Sequence, residues 1–333
     1  MVLYINFPDW LHPEVFPGFH LFGIKILYLI RWYSLSYIFG FLASFYLFRY
    51  QLKKQTSIIA DATVLADFYF WLIIAVLICG RIFASIFYVG FENISFNPIE
   101  WFNPFIKVGD RWVFHGLSGM SYHGAIIGVA LAIVIYCKIK KIEIRSWADM
   151  ALASAPLPYT LGRLANFANG ELWGRPTAVP WGVRFPNATP VSLEINTFRE
   201  IAEKVNLDLD GISTIVNLPR HPSQLYEAFF EGIVLGLIVW FLKDKKPFKG
   251  FLIGTYLIGY GIFRFIIEYF REPDEVFVTG NKVHGFIFLN FSMGQILCLI
   301  MIIAGIIAYI WCYIIQIKEN KMITKVGIEM ESQ

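Results

Sequence analysis

Hydrophobic positions gather into seven apolar stretches, roughly 27–48, 66–89, 121–137, 149–166, 224–242, 250–268 and 293–316. The last contains Ile296–Ile315, ILCLIMIIAGIIAYIWCYII, without a formal charge. At 1.5 Å of rise per residue, about twenty helical residues cover the ~30 Å hydrocarbon core of a bilayer. The first, fourth and sixth stretches carry polar residues, which blurs their ends. The fourth also holds Pro156 and Pro158, which predict a kink because proline lacks the N–H an inner helix turn requires. The pattern predicts an all-α polytopic membrane protein of about seven transmembrane helices, one integral membrane domain over residues 1–333. Segment 167–223, rich in Pro, Asn and Asp, interrupts the pattern and predicts a small outer-face head between spans four and five.

Composition strengthens this reading. Hydrophobic residues make up 57% of the 333 and charged residues 16%, with a mean hydropathy of +0.57. That excludes an ordinary soluble domain. The net charge of +3 matters less than where the charges lie. Arg49, Lys53 and Lys54 follow span one; Lys138, Lys140, Lys141 and Arg145 follow span three. Lys243, Lys245, Lys246 and Lys249 follow span five, and Lys318, Lys321 and Lys325 lie in the tail. Lysine and arginine are sparse in the alternate segments, so the positive-inside bias places the N-terminus outside and the C-terminus in the cytoplasm. The start of the chain, MVLYINFPDWLHPEVFPGF, has no basic stretch followed by an apolar one, so no cleavable signal peptide is expected.

Four basic residues remain inside the predicted spans, all of them arginine: Arg31, Arg81, Arg163 and Arg264. Each costs about 2.5–3.5 kcal/mol near mid-bilayer, which calls for a compensating purpose. Arg163 lies fourteen residues past Asp149, and Arg264 fourteen past Gly250. Both therefore sit about 21 Å from the cytoplasmic edge, in the outer half of the core. His123 and the trio Gln224, Glu227 and Glu231 enter from the outer side at a similar depth. Tyr260, Arg264, Glu268 and Arg271 share one helix face, as do Arg163 with Asn166 and Tyr33 with Tyr37. Arginine presents a planar fork that grips phosphate at two points and stays charged at any working pH. Such a layer, open to the outer leaflet, suits an anionic phospholipid headgroup. The competing reading is structural ion pairing, for which Arg264 with Glu268 is the obvious pair.

Other chemistry is thinly represented. Cys79, Cys137, Cys298 and Cys312 lie in apolar stretches without metal or disulfide spacing and read as small packing residues. The histidines lack metal-ligand spacing and no glycine-rich phosphate loop is present, so neither a metal nor a cofactor is expected, and no nucleic acid as a partner. The glycine spacings 124/128 and 250/254 predict close helix packing. No internal repeat of the kind transporters carry is present.

Residues 162–174, GRLANFANGELWG, resemble the signature of bacterial prolipoprotein diacylglyceryl transferases. RWYSLSY (31–37), GMSYHGA (119–125), RHPSQLYE (220–227), YGIFRFIIEYFREPDE (260–275) and SMGQI (292–296) follow that family's order over almost the whole chain. Ala125 and Ala165 stand where the family commonly has glycine, and Tyr122 where phenylalanine is common; none of these removes a reactive group. The resemblance implies an enzyme of the bacterial cytoplasmic (inner) membrane. Its partners would be phosphatidylglycerol, a prolipoprotein signal peptide with its lipobox cysteine, and membrane lipids. Transfer of the diacylglyceryl group to the cysteine thiol would form a thioether and release glycerol 1-phosphate, the first step of lipoprotein maturation.

On this resemblance Arg163 and Arg264 are the candidates for holding the phosphate and stabilising the departing charge, with His123 the candidate base for the thiol. Tyr33, Asn166, Asn169, Glu171 and Tyr260 match motif positions that orient headgroup and arginines. Glu268 and Arg271 would set Arg264, and Arg81 and Gly174 complete the candidate substrate-binding set. Two alternatives remain at this stage: a transporter or lipid-binding protein with an arginine-lined anion site, and another phosphatidylglycerol-consuming transferase with a different acceptor.

Overall fold

In lipid no water reaches the backbone, so an apolar segment must satisfy its own N–H and C=O groups, and a helix does this within one stretch. The apolar runs accordingly fold as helices in the computed structural model, which describes residues 4–15, 31–55, 61–88, 105–108, 111–114, 121–207, 214–272, 275–278, 281–284, 286–288 and 291–331. They are α1 (Trp32–Lys54), α2 (Ala62–Tyr88), α3 (Tyr122–Lys140), α4 (Ile144–Ser154), α5 (Pro156–Ala168), α6 (Asn196–Lys204), α7 (Ser223–Leu242), α8 (Phe251–Ile267) and α9 (Met293–Glu331). Ala62–Ile86, Ser223–Leu242 and Gly294–Lys325 are long and apolar enough to cross a membrane, and Phe251–Ile267 is a shorter apolar helix. Their outer faces are apolar, with Phe241 68% and Ile307 61% exposed, as a lipid-facing surface requires.

Three details differ from the sequence pattern. The fourth stretch is two helices rather than one kinked helix, because Pro156 opens α5 after a break at Ala155. Arg31 precedes α1 and bridges Glu14 through the backbone; residues 27–30 of the expected first span lie outside the described residues. α9 runs on to Glu331, well past the apolar stretch. Outside the helices the chain forms short strand pairs, such as Phe105–Val108 with Arg111–Phe114 and Glu275–Val278 with Asn281–His284.

Contacts divide the chain into two units. In the unit 48–148, α3 packs on α2 through the predicted small residues. A Cβ at Gly128 would lie 2.6 Å from the Ala75 oxygen, and one at Gly124 2.6 Å from Phe83 Cβ. At one end Phe48, Phe68 and Tyr136 pack around the fully buried Trp147. The Tyr136 hydroxyl shares its single proton between the Val64 carbonyl at 2.7 Å and Asp67 at 3.1 Å, and Lys140 pairs with Asp67 at 2.9 Å.

The unit formed by 1–47 and 149–333 holds α5, α7, α8 and α9. Gly254 and Gly305 bring α8 and α9 into backbone contact, whereas the predicted partner Gly250 has another use. It sits at φ +86 before α8, a conformation that favours glycine, and its N–H donates to Asp149 at 2.9 Å. The fully buried Asp149 also accepts from the Leu252 N–H at 3.0 Å and pairs with Lys246 at 3.1 Å. One carboxylate thus caps α8 and ties α4 to it. Asp149→Ala is expected to lower stability by about 3 kcal/mol; an unchanged Tm in detergent would remove this role from Asp149.

Segment 167–223 has its own small cores, Val183, Phe185 and Ala188 under Phe7, Phe167 and Trp173, and Ala202, Val216 and Leu218 beside α6. Strand Ile5–Asn6 pairs in parallel with Val183–Arg184. Ile5 and Asn6 are therefore joined to segment 167–223, which local sequence does not reveal.

Candidate active site

The signature begins in the last turns of α5 and ends in a tight loop. Asn166 and Asn169 both donate to Glu171 Oε1, at 2.8 and 3.2 Å. The Glu171 N–H returns to the Asn166 carbonyl at 3.1 Å, and Gly170 turns the chain at φ +63. Gln224 of α7 donates to the Glu171 carbonyl at 2.5 Å, and Ser223 to the Leu172 carbonyl at 3.0 Å. The loop is thereby fastened to the start of α7, the helix that carries Glu227.

Glu227 is the centre of the site. Fully buried, it accepts from Arg264 Nη1 on Oε1 at 2.5 Å, forms an ion pair with Arg163 through Oε2, 2.9 Å from Nε, and has Arg271 Nη1 3.5 Å from Oε1. Arg264 also reaches Glu268 at 3.2 Å, and Arg271 approaches Glu268 at 4.0 Å. Ser292 donates its hydroxyl to Glu268 at 3.1 Å. Gly294 leaves room for that carboxylate, whose carbon would lie 2.7 Å from an added Cβ. Three guanidiniums thus share two carboxylates in these pairs, and a third carboxylate, Glu231, accepts the Tyr159 hydroxyl. Arg163 Nε also donates to Tyr159 at 2.9 Å, and Tyr260 packs edge-on against the Tyr159 ring at 5.7 Å.

Of the residues singled out from sequence, this cluster unites Arg163, Arg264, Arg271, Glu268 and Tyr260, next to the Asn166–Asn169–Glu171 loop. Gly174 lies where three chain segments meet. Its N–H donates to the His221 carbonyl at 2.8 Å, Arg220 donates to its carbonyl at 3.2 Å, and an added Cβ would lie 2.8 Å from His221 Cβ. Its contacts are with the fold itself. Tyr33 is partly exposed on α1 and shares a 3.0 Å hydroxyl contact with Tyr37. Arg81 is half-buried on α2, in the other unit. His123 lies in the first turn of α3 in that unit, and its side chain falls outside the described residues.

Glu227, Glu231, Tyr159 and Gln224 were not on the sequence-derived list of site residues. The available signal was two carboxylates in an apolar helix, which the bilayer penalises unless they are paired; Tyr159 stood one turn before Arg163. The ion-pairing expected between Arg264 and Glu268 is present, yet the stronger bridge comes from another helix.

Trp181 donates at 2.7 Å to the hydroxyl of Tyr226, within the start of α7, so that hydroxyl passes its own proton toward Nδ1 of His221, just before α7, at 3.2 Å. Burial pushes the His221 imidazole below its ordinary value, consistent with a neutral ring accepting at Nδ1.

Chemically, the cluster is a buried network in which three guanidiniums are held by carboxylates, where charge interactions are stronger than in water. The profile of the prolipoprotein diacylglyceryl transferase family matches residues 20–311. Proteins named phosphatidylglycerol–prolipoprotein diacylglyceryl transferase are similar over nearly their whole length. That of Treponema denticola is 42% identical, covering 98% of this chain and 99% of the relative. That of Treponema pallidum is 39% identical over 92% and 94%, and that of Chlorobaculum tepidum 41% over 92% and 91%. With the profile spanning most of its length and relatives matching from end to end, the chain belongs to the prolipoprotein diacylglyceryl transferase family.

Proposed function

We propose that this protein transfers the diacylglyceryl group of phosphatidylglycerol to the lipobox cysteine of a prolipoprotein. The cysteine thiolate attacks the sn-3 methylene carbon of the lipid. A C–S bond forms, the C–O bond breaks, and the electron pair leaves on the phosphate oxygen of glycerol 1-phosphate. Arg163 and Arg264 hold that phosphate and stabilise its charge. Glu227, Glu268 and Arg271 fix the two guanidiniums, while Asn166, Asn169 and Glu171 shape the adjoining loop. Tyr33 and Tyr260 orient headgroup and arginines, Arg81 is a supporting candidate for lipid binding, and Gly174 holds the loop to the segment around His221. His123 takes the thiol proton. The observation that carries the reading is one carboxylate gripping Arg163 and Arg264 from two different helices, in a chain whose relatives bear this activity in their names.

The reading also places the chain in the cytoplasmic membrane of a bacterium with seven spans, N-terminus outside, as one domain whose 167–223 segment is an extracytoplasmic head. The lysine and arginine distribution supports that orientation. The strand pairing of Ile5–Asn6 with Val183–Arg184 supports a shared side for the head and the start of the chain.

The test is incubation of the purified protein with phosphatidylglycerol labelled in its glycerolipid and a lipobox peptide. Labelled peptide with stoichiometric glycerol phosphate is expected. Glycerol phosphate without labelled peptide would point to a different acceptor, and lipid binding without either product to a lipid-binding protein. His123→Asn is expected to lower turnover by about 100-fold or more; substantial residual transfer would remove the base role from His123.

A further inference from the structure

Beneath the arginine cluster lies a polar pair that the transfer chemistry leaves unused. Tyr159 stands one helical turn before Arg163 on α5, and Glu231 lies in Ala228–Val234, a π-helical stretch inside α7. Such wide turns have poorer hydrogen-bond geometry and recur at functional sites. Gly232 in the same stretch lets α5 come close, since an added Cβ would lie 3.0 Å from Thr160 Cβ. That approach delivers the Tyr159 hydroxyl to Glu231 Oε2.

The direction of the hydrogen bonds follows from what each group can do. A guanidinium has only donors, so the Tyr159 oxygen accepts from Arg163 Nε–H at 2.9 Å. The single tyrosine proton then goes to the carboxylate. The guanidinium also lies over the Tyr159 ring, 5.0 Å from its centroid, and Glu227 Oε2 of α7 forms an ion pair with it, 2.9 Å from Nε. Glu231 is fully buried and its Oε1 has no hydrogen-bond partner among the described residues, a placement that costs free energy unless it is used.

We propose that Tyr159 and Glu231 are positioning residues that set the plane of the Arg163 guanidinium, so that its fork meets a phospholipid phosphate with two donors at once. The inference rests on the transferase reading for its role in turnover. Tyr159 and Glu231 touch no reacting atom; they act through Arg163.

The experiment is a double-mutant cycle with Tyr159→Phe and Arg163→Lys, read both as kcat/KM for phosphatidylglycerol and as the rise in Tm that the lipid produces in detergent. Tyr159→Phe keeps the ring and removes only the hydroxyl. In the Arg163 background it is expected to lower kcat/KM about tenfold and shrink the lipid-induced rise in Tm. In the Arg163→Lys background, removing the hydroxyl is expected to change neither by more than about twofold, because the group it positions is gone. Equal losses in both backgrounds, or kcat/KM within about twofold of the parent, would overturn the proposal. Should Tyr159→Phe fail to fold, Glu231→Gln carries the same cycle. If the parent protein forms no labelled peptide but its lipid-induced Tm rise follows this pattern, the transferase reading falls and the positioning pair stands.

Discussion

Glu227→Gln is expected to reduce diacylglyceryl transfer by about 100-fold or more and to lower Tm. Glu227 is the shared counter-charge of Arg163, Arg264 and Arg271, and it is fully buried. Removing one member of a buried ionic network costs about 3–5 kcal/mol, because the remaining charges lose their compensation in a medium that does not solvate them. Glutamine matches the volume but turns an NH2 donor toward guanidiniums, which are themselves only donors. The arginines would separate, and the phosphate would meet them one at a time. Each 1.36 kcal/mol of lost transition-state stabilisation is a factor of ten, so even part of the network energy gives the predicted loss. Transfer of labelled lipid to a lipobox peptide, beside a melting curve, checks both halves. Activity within about threefold of the parent would exclude Glu227 from the machinery.

The second large effect concerns the arginines themselves. Arg163→Lys and Arg264→Lys keep the charge, and each is expected to lower kcat/KM by about tenfold to a hundredfold. Lysine has one nitrogen on a flexible stem, whereas Arg163 donates its Nε–H to Tyr159 and stands 2.9 Å from Glu227 Oε2 as an ion pair. Arg264 divides its two terminal nitrogens between Glu227 and Glu268. A lysine at either place must serve carboxylate and phosphate with the same ammonium. The steady-state rate with phosphatidylglycerol as the varied substrate measures this, and full activity in either variant would remove the two-point grip from that position.

Much of this was written along the chain. The apolar runs marked helices because the bilayer admits few other solutions, and Gly124 and Gly128 marked where α3 meets α2. The equal spacing of Arg163 from Asp149 and of Arg264 from Gly250 was also legible. In the structure Asp149 binds the Gly250 N–H, but the break at Ala155 puts Arg163 on a different helix from Asp149. What sequence missed was continuity and partnership. The fourth stretch read as one span because its hydrophobicity runs through Ala155, whereas the proline at 156 starts a second helix. The pairing of Ile5–Asn6 with Val183–Arg184 joins residues nearly two hundred positions apart, and no local pattern encodes such a contact.

The candidate site divides along the same line. The sequence alone determined that the four basic residues inside the predicted spans are all arginine, that Arg163 and Arg264 stand fourteen residues past Asp149 and Gly250 respectively, and that Tyr260, Arg264, Glu268 and Arg271 share a face. These follow from helix period and bilayer thickness, which act on near neighbours. Only the tertiary structure decided that Glu227 of α7 is the carboxylate between Arg163 of α5 and Arg264 of α8, and that Tyr159 and Glu231 lie behind them. A charge buried in a membrane must find its counter-charge. Which one it finds depends on how three helices pack, through Gly232 against Thr160 and Asp149 at the head of α8, and that choice is made by contacts far apart in the chain.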